Sequence, residues 1–390
     1  MKFFHTADWH LGKLVQGVYM TEDQRYVLSQ LLQAIEEERP DAVIIAGDLY
    51  DRAVPPTEAV ELLDEWIEHV VIRLQTPLLA ISGNHDSPDR LNFGTRLMEQ
   101  QGMYLAGQLR ADREPVKLKD EFGEVHVHLI PFADPAQVRL QYEDDSIRSY
   151  DDAMRAITER IGRTMDKGAR HIAVAHAFVT PAGDKESNTS DSERPLAIGG
   201  AEYVNASYFD VFDYTALGHL HKAHFVRSEN IRYAGSPLKY SISEERHNKG
   251  YYIVEMDADG SCKAEKRELR PLRDMRSVVV PIEELEQLER SDDYVFATLL
   301  SDNPILFPME KVRAIFPNAM HVERRNATEA VKGAGGAIGL DRHPSVRRAA
   351  DPVQLFSAFY NEVKGMPLSE SKLQRFAAAF QSLLREESER

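Results

Sequence analysis

Five short segments place acids, amides and histidines where apolar residues would be expected. The first is HTADWHLG, residues 5–12, directly after the strand-like KFF. Asp8 and His10 stand two apart, and alternation along an extended chain puts such residues on one side. GDLYD follows the apolar run DAVIIA and supplies Asp48; SGNHD follows PLLAI and supplies Asn84 and His85. AVAHAF supplies His176, and TALGHLH supplies His219 and His221, another pair two apart. A glycine precedes Asp48, Asn84 and His219, which lets the backbone turn tightly there. Oxygen and imidazole donors without sulfur suit Mn²⁺, Fe or Zn²⁺ better than an all-oxygen Mg²⁺ or Ca²⁺ site. Seven ligands (Asp8, His10, Asp48, Asn84, His176, His219 and His221) exceed what one four-coordinate ion needs. Two ions are the economical reading, with the Asp48 carboxylate able to bridge them. Such a pair binds a phosphate, activates a water and stabilises the leaving oxygen. His85 is left over; beside the metals it could protonate the leaving alkoxide or stabilise the developing charge. One D-x-H pair alone reads equally well as a polar loop or a helix cap. The ordered set, each member at an expected strand end, does not.

The remaining histidines read differently. His126 and His128 repeat the two-residue spacing in VHVHLIPF, but mid-strand and with no glycine before them. They are expected on a solvent-facing strand surface, with Val125, Val127 and Leu129 on the other face. His5 reads as a buried, hydrogen-bonded strand histidine or as a support for a ligand; His224 and His247 stay open. Cys262 reads as a small, partly buried side chain.

The elements that must hold these residues follow from periodicity. Lys2–His5, Asp41–Ala46 and Leu78–Ser82 are expected strands. Between them, Glu22–Glu38 shows helical spacing through Val27, Leu28, Leu31, Leu32 and Ile35, ended by Pro40. A second helix runs from a Thr57 cap to about Leu74, with Leu62, Leu63, Trp66 and Val70 inward, and a third from Ser87-Pro88 to about Gln101. Strand alternating with helix implies a parallel, layered α/β core, and sites in such sheets lie beyond the carboxyl ends of the strands. Val116–Lys119, Val125–Pro131, His171–Phe178, Asp213–Leu217 and the short strands of Phe225–Arg270 suggest a second sheet, with Asp151–Met165 helical and Thr180–Pro195 a polar loop. The fold class expected is α/β: a two-sheet sandwich flanked by helices over residues 1–272. A small α+β capping module follows over 273–325. A Gly/Ala-rich linker spans 326–350, and its glycines lack the Gly-Lys-Ser/Thr of a phosphate loop. C-terminal helices over 351–390 carry Leu373, Phe376, Phe380, Leu383 and Leu384 on one face.

Bulk properties narrow the class. The chain has 390 residues, 43% hydrophobic and 28% charged, an ordinary globular composition. One cysteine makes an internal disulfide impossible and fits a reducing cytoplasm. No secretory leader or membrane-spanning run is visible. With 47 Lys+Arg against 63 Asp+Glu, the net charge is −16. That weighs against a simple nucleic-acid binder. A nucleic-acid enzyme remains workable if bound cations, local basic patches or a partner offset the field.

The ordered motifs resemble those of the calcineurin-like metallophosphoesterase superfamily. The segments GDLYDRAVPP, SGNHDSPDRL, HAFVTPAG, ERPLAIGGAEYV, ALGHLHKAH and YAGSPLKYS resemble its DNA nucleases that act beside a coiled-coil ATPase. The likeness is strong over residues 1–270 and looser beyond. It implies a dinuclear Mn²⁺ site: Asp8, His10, Asp48 and His221 on one ion, Asp48, Asn84, His176 and His219 on the other, and His85 at the leaving group. It implies 3′-to-5′ exonuclease activity on duplexes and endonuclease activity on single strands or hairpins, in DNA repair, recombination and replication. The ATPase is the implied partner, docked by the C-terminal helices, and a homodimer forms through the second and third helices, with Trp66, Phe93 and Leu97 as candidates for that face. Some relatives carry a histidine where this chain has Asp51, so that histidine's role does not transfer. A phosphatase or cyclic-nucleotide phosphodiesterase on the same metal core is the alternative, and a non-catalytic scaffold a third.

Overall fold

The computed structural model describes residues 1–183, 190, 191, 193, 202–326, 356, 360, 369, 372, 373, 375 and 376. The chain forms two compact units, Met1–Lys332 and Gly333–Arg390.

In the first unit, two six-stranded sheets carry the expected sandwich. One runs Cys262–Glu268, Gly250–Met256, Lys2–Thr6, Ala42–Ile45, Leu78–Ile81, Met103–Ala106 in spatial order. Its last four strands are parallel, so their carboxyl ends share one edge. The other runs His224–Val226, Ser228–Tyr233, Tyr214–Gly218, Arg170–His176, Gly123–Ile130, Val116–Asp120, with Gly123–Ile130, Arg170–His176 and Tyr214–Gly218 again parallel. Side-chain alternation divides the apolar residues. Phe3, Ile44, Leu79 and Ile81 meet Val125, Val127, Ile172 and Val174 between the sheets. Phe4, Val43, Ile45 and Ala80 face outward, under the helices Thr21–Glu38 and Thr57–Ile67. Helix Tyr150–Thr164, capped by a reciprocal Ser149–Asp152 box, covers the second sheet through Ala153, Met154 and Ile157. Among the described residues no helix is long and apolar enough to cross a membrane.

A smaller sheet follows the sandwich in sequence. Met275–Pro281, Tyr294–Leu300 and His321–Arg325 form a parallel sheet, and Val295, Leu299, Val312 and Phe316 fill its core. It is tied to the sandwich at Asp23, a buried carboxylate at the start of helix Thr21–Glu38. Asp23 accepts from the Tyr294 hydroxyl at 2.7 Å and from Arg273 at 3.0 and 3.1 Å. In the second unit, Phe356 and Phe376 stack at 3.9 Å, and Lys372 Nζ donates to the Tyr360 hydroxyl at 2.6 Å. Nearly all of the linker 326–350, much of the loop 180–195, and Phe380, Leu383 and Leu384 lie outside the described residues.

Several expectations are corrected. The third helix is two short ones, Pro88–Leu91 and Thr95–Glu99, because Gly94 breaks the run with φ +74°. Thr57 is the first helical residue, and Pro56 takes the cap position. Of the three candidates for a dimer face, Trp66 is in the core, as its inward place on the helix implied, edge-on to Trp9 at 4.7 Å, whereas Phe93 and Leu97 are exposed. His126 and His128 are not solvent-facing. They are buried, as is His171 on the neighbouring strand. His128 Nε2 lies 3.0 Å from His171 Nδ1, its ring packs on Phe212, and His126 pairs with Glu124 at 2.8 Å. The alternation holds, but the second face is covered as well.

Candidate metal centre

The motif residues stand just past, or at, the carboxyl ends of parallel strands from both sheets. Asp8 and His10 follow Lys2–Thr6, Asp48 follows Ala42–Ile45, and Asn84 and His85 follow Leu78–Ile81. His176 ends its strand, and His219 and His221 follow Tyr214–Gly218. The two sheets pack face to face, so these ends converge on one point.

Asp48 is at the middle. Its Oδ2 lies 3.5 Å from His10 Nε2 and 3.4 Å from His176 Nε2. On one side, His10 Nε2 and His221 Nε2 face each other at 3.0 Å. On the other, Asn84 Oδ1 lies 2.9 Å from His176 Nε2 and 3.2 Å from His219 Nδ1. Asp8 Oδ1 accepts from the His219 backbone N–H at 2.8 Å, while its Oδ2 is buried with no hydrogen-bond partner. His85 donates its backbone N–H to Asp48 Oδ1 at 2.9 Å, and its Nδ1 donates to the Asp51 carbonyl at 2.8 Å.

The backbone is bent to reach this geometry. Asp8, His10, Asp48 and His219 have φ of 54°, 46°, 51° and 107°. Side-chain-bearing residues rarely adopt this region, and each such residue costs roughly 1–3 kcal/mol. The surroundings hold them there: Asp8 N–H donates to Gly47 O at 3.1 Å and His10 N–H to Asp48 O at 2.9 Å. Buried Gln24 donates to the carbonyls of Trp9 and His10 at 3.1 and 2.8 Å. Two glycines are required by close approach. A Cβ on Gly83 would sit 2.1 Å from Asp48 Oδ1, and one on Gly47, whose φ is +92°, 2.3 Å from His176 Nδ1.

The electrostatics are those of a buried charge cluster. Burial raises Asp48, but the neighbouring His176 and His10 outweigh it and hold the carboxyl well below its usual range. Burial pushes Asp8 upward. It lowers His10 strongly and takes His219, beside His176, down to about 3.

These residues fit divalent cations. Asp8 Oδ2 has no partner, and two imidazole nitrogens 3.0 Å apart need a proton or a cation between them. Carboxylate oxygens, an amide oxygen and imidazoles are borderline donors of the kind that Mn²⁺, Fe and Zn²⁺ accept. Two groups of three have ligand atoms close together: Asp8, Asp48 and His176, and His10, Asp51 and His85. Neither coincides with a set that the resemblance implies, which places Asp8 with His10 and keeps Asp51 and His85 off the ions.

Residues 1–223 match the calcineurin-like phosphoesterase family. The chain belongs to it. Every motif residue of this calcineurin-like phosphoesterase, from Asp8 to His221, lies inside the matched stretch. Residues 271–364 match a second model, described as the Type 5 capsule protein repressor C-terminal domain. A relative from Staphylococcus epidermidis, the SbcD subunit of the SbcCD nuclease, is 41% identical over 257 residues, covering 66% of this chain. The chain in turn spans 66% of that relative's length. A dimetal phosphatase from Danio rerio, at 11% identity, has a TM-score of 0.42, covering 70% of this chain and 98% of its own. A Thermus thermophilus protein, also at 11%, has a TM-score of 0.38, covering 69% and 99%.

Sequence reasoning missed the supporting residues of this phosphoesterase site. Asp86, inside the quoted GNHD, accepts backbone N–H groups of Leu49, Tyr50 and Gly83 at 3.1, 2.9 and 2.9 Å. Asp51 pairs with Lys13 at 2.7 Å, and its carboxylate lies 3.7 Å from His10 Nδ1. Gln24, Glu193, Glu244 and Lys249 carried no signal beyond being polar. His5 is buried, bonded to the Tyr214 hydroxyl at 3.1 Å and to the Leu217 carbonyl at 3.2 Å, both just ahead of His219. Cys262 is partly buried, with a free thiol.

Proposed function

We propose that this chain is a two-metal DNA nuclease that hydrolyses phosphodiesters, 3′ to 5′ on duplexes and internally on single strands or hairpins. The observation that carries the reading is Asp48 Oδ2, within 3.5 Å of one imidazole from each side of the site. The kinship with a relative named as part of a nuclease supports DNA as the substrate.

Asp8, His10, Asp48 and His221 would hold one ion, and Asp48, Asn84, His176 and His219 the other. Mn²⁺ is the metal we favour, because the family resemblance implies it and these donors accept it. When bound, the ions supply Lewis acidity and a water of lowered pKa. The chain's own residues do the rest. Asp48 fixes the spacing of the two ligand sets. The Asp51 carbonyl engages His85 Nδ1–H, so in the imidazolium the Nε2–H is the proton delivered to the leaving alkoxide.

We assign residues 1–272 to catalysis, 273–325 to a capping module, 326–350 to a linker, and 351–390 to docking on an SbcC-like coiled-coil ATPase. The Phe356–Phe376 stack supports an aromatic, helix-in-groove docking element. A homodimer within a heterotetramer, formed through Phe93 and Leu97, a cytoplasmic location and a role in DNA repair, recombination and replication complete the proposal. With a net charge of −16, the isolated chain does not grip DNA strongly. The ions and the ATPase supply the positive field.

Competition between substrates tests it. The chain in Mn²⁺, alone and with the ATPase and ATP, should degrade polymeric DNA in preference to mononucleotides, cyclic nucleotides and phosphomonoesters. Preference for a small ester would favour a phosphatase or cyclic-nucleotide phosphodiesterase instead.

A further inference from the structure

His221 differs from its neighbours in what stands behind it. His176 turns its outer nitrogen to a carbonyl, that of Ala46, at 2.9 Å. His221 turns its outer nitrogen, Nδ1, to a carboxylate: Glu244 Oε1 lies 3.2 Å away. Glu244 is fully buried, 23 residues after His221, on the short turn Ile242–Glu244. Its second oxygen pairs with the ammonium of Lys249, itself buried. Lys249 Nζ also donates to the His221 carbonyl and to Ser236 Oγ, both at 2.8 Å. The His221 N–H donates to Glu193 Oε1 at 2.7 Å. Both ends of this residue's backbone and the rear of its ring are therefore fixed by charged groups.

A buried ion pair is weak support for a fold, since apolar residues of similar volume often replace it without loss. A carboxylate behind a ligating imidazole has a specific use. It fixes the tautomer with hydrogen on the outer nitrogen, aims the lone pair of the inner one and raises its basicity. The inner nitrogen here, Nε2, is the atom that faces His10 Nε2.

We propose that Glu244 is a positioning residue for His221, with Lys249 holding Glu244 in place, and that the pair sets the affinity of one of the two metal ions. The inference rests on the dinuclear reading above. The pair supplies a negative and a positive charge together, so the site gains a directed acceptor without gaining net charge. Glu244 acts on the ion held by His10 and His221. The ion beside Asn84, His176 and His219 does not depend on it.

The test is Mn²⁺ titration of the full chain, by calorimetry and by paramagnetic resonance, on wild type, Glu244→Gln and the double variant Glu244→Gln/Lys249→Met. The double variant removes both charges and keeps comparable volume. Wild type should bind two ions and show the signal of a coupled pair. Both variants should weaken one ion about 10–100-fold, the usual effect of removing such a partner, and hold the other within threefold. The coupled signal should then give way to that of isolated Mn²⁺ at concentrations that saturate wild type. Two ions at wild-type affinity in the folded double variant would overturn the proposal. So would equal weakening of both ions. Loss of folding in both variants would overturn it too, by assigning the pair to the fold. Fewer than two ions on wild type would instead remove the dinuclear reading beneath it.

Discussion

At the scale of single residues, side chains with different tasks share one small volume. In the proposed dinuclear site Asp48 is shared by both ions, so Asp48→Asn should weaken both, read by Mn²⁺ titration. Retention of two ions at wild-type affinity would contradict the bridge. His85 stands beside the ligands, 4.6 Å ring to ring from His10, and is the proposed proton donor. His85→Ala should keep both ions and lose about 10²–10⁴-fold in rate, the span of general acid–base help. The histidines of the second sheet make a different prediction. Burial lowers His128 to about 3, with His171 next in effect, so the folded chain resists a proton that the unfolded chain takes up near 6.5. The unfolded state then binds more protons, and stability falls with pH from about 6.5 toward 3. Removing this one group should spare about 2 kcal/mol of the loss between pH 7 and 5. Urea denaturation of His128→Gln against wild type, both in chelator, checks it; equal acid sensitivity would refute it.

At the scale of elements, the sandwich exists to bring strand ends together. The motifs were legible because each breaks an apolar run where a parallel strand should end, and all seven expected ligands and His85 fall in one cluster. The left-handed φ values of Asp8, His10, Asp48 and His219 were not legible. They come from tertiary contacts such as those of Gln24, which reaches back from a helix to carbonyls 14 and 15 residues earlier. The two faces of the His126–His128 strand were separable by alternation, but alternation does not say whether a face is covered. Phe212, from another part of the chain, covers it. Trp66 illustrates the same limit: helical spacing allowed either an interface or the core, and Trp9, between Asp8 and His10, claims it. Trp66→Ala should therefore cost about 3–5 kcal/mol, as for other buried aromatics. A loss under about 1 kcal/mol in chemical denaturation would show that the Trp9–Trp66 contact is dispensable.

At the scale of the whole molecule, the first unit joins a catalytic sandwich to a small module through Asp23. That carboxylate receives Tyr294 and Arg273, both from the module. Next to it, Gln24 holds the Trp9 and His10 carbonyls. Asp23→Asn should lose roughly 1.5–3 kcal/mol, the range for a hydrogen bond to a charged group, and should expose the module to limited proteolysis. An unchanged digestion pattern would leave the junction to apolar packing alone. The acidic charge of the chain belongs to this scale as well. On the proposed nuclease reading, bound cations and a partner supply much of the field that holds DNA. The measurement that bears most directly on the two-metal nuclease is degradation of an end-labelled blunt duplex in Mn²⁺, comparing wild type with His85→Ala. It is run with and without the coiled-coil ATPase and ATP. Wild type should cleave, and a variant that still binds two ions should not. Equal cleavage by both proteins, or no cleavage by wild type even with the ATPase, would contradict a nuclease built on this site.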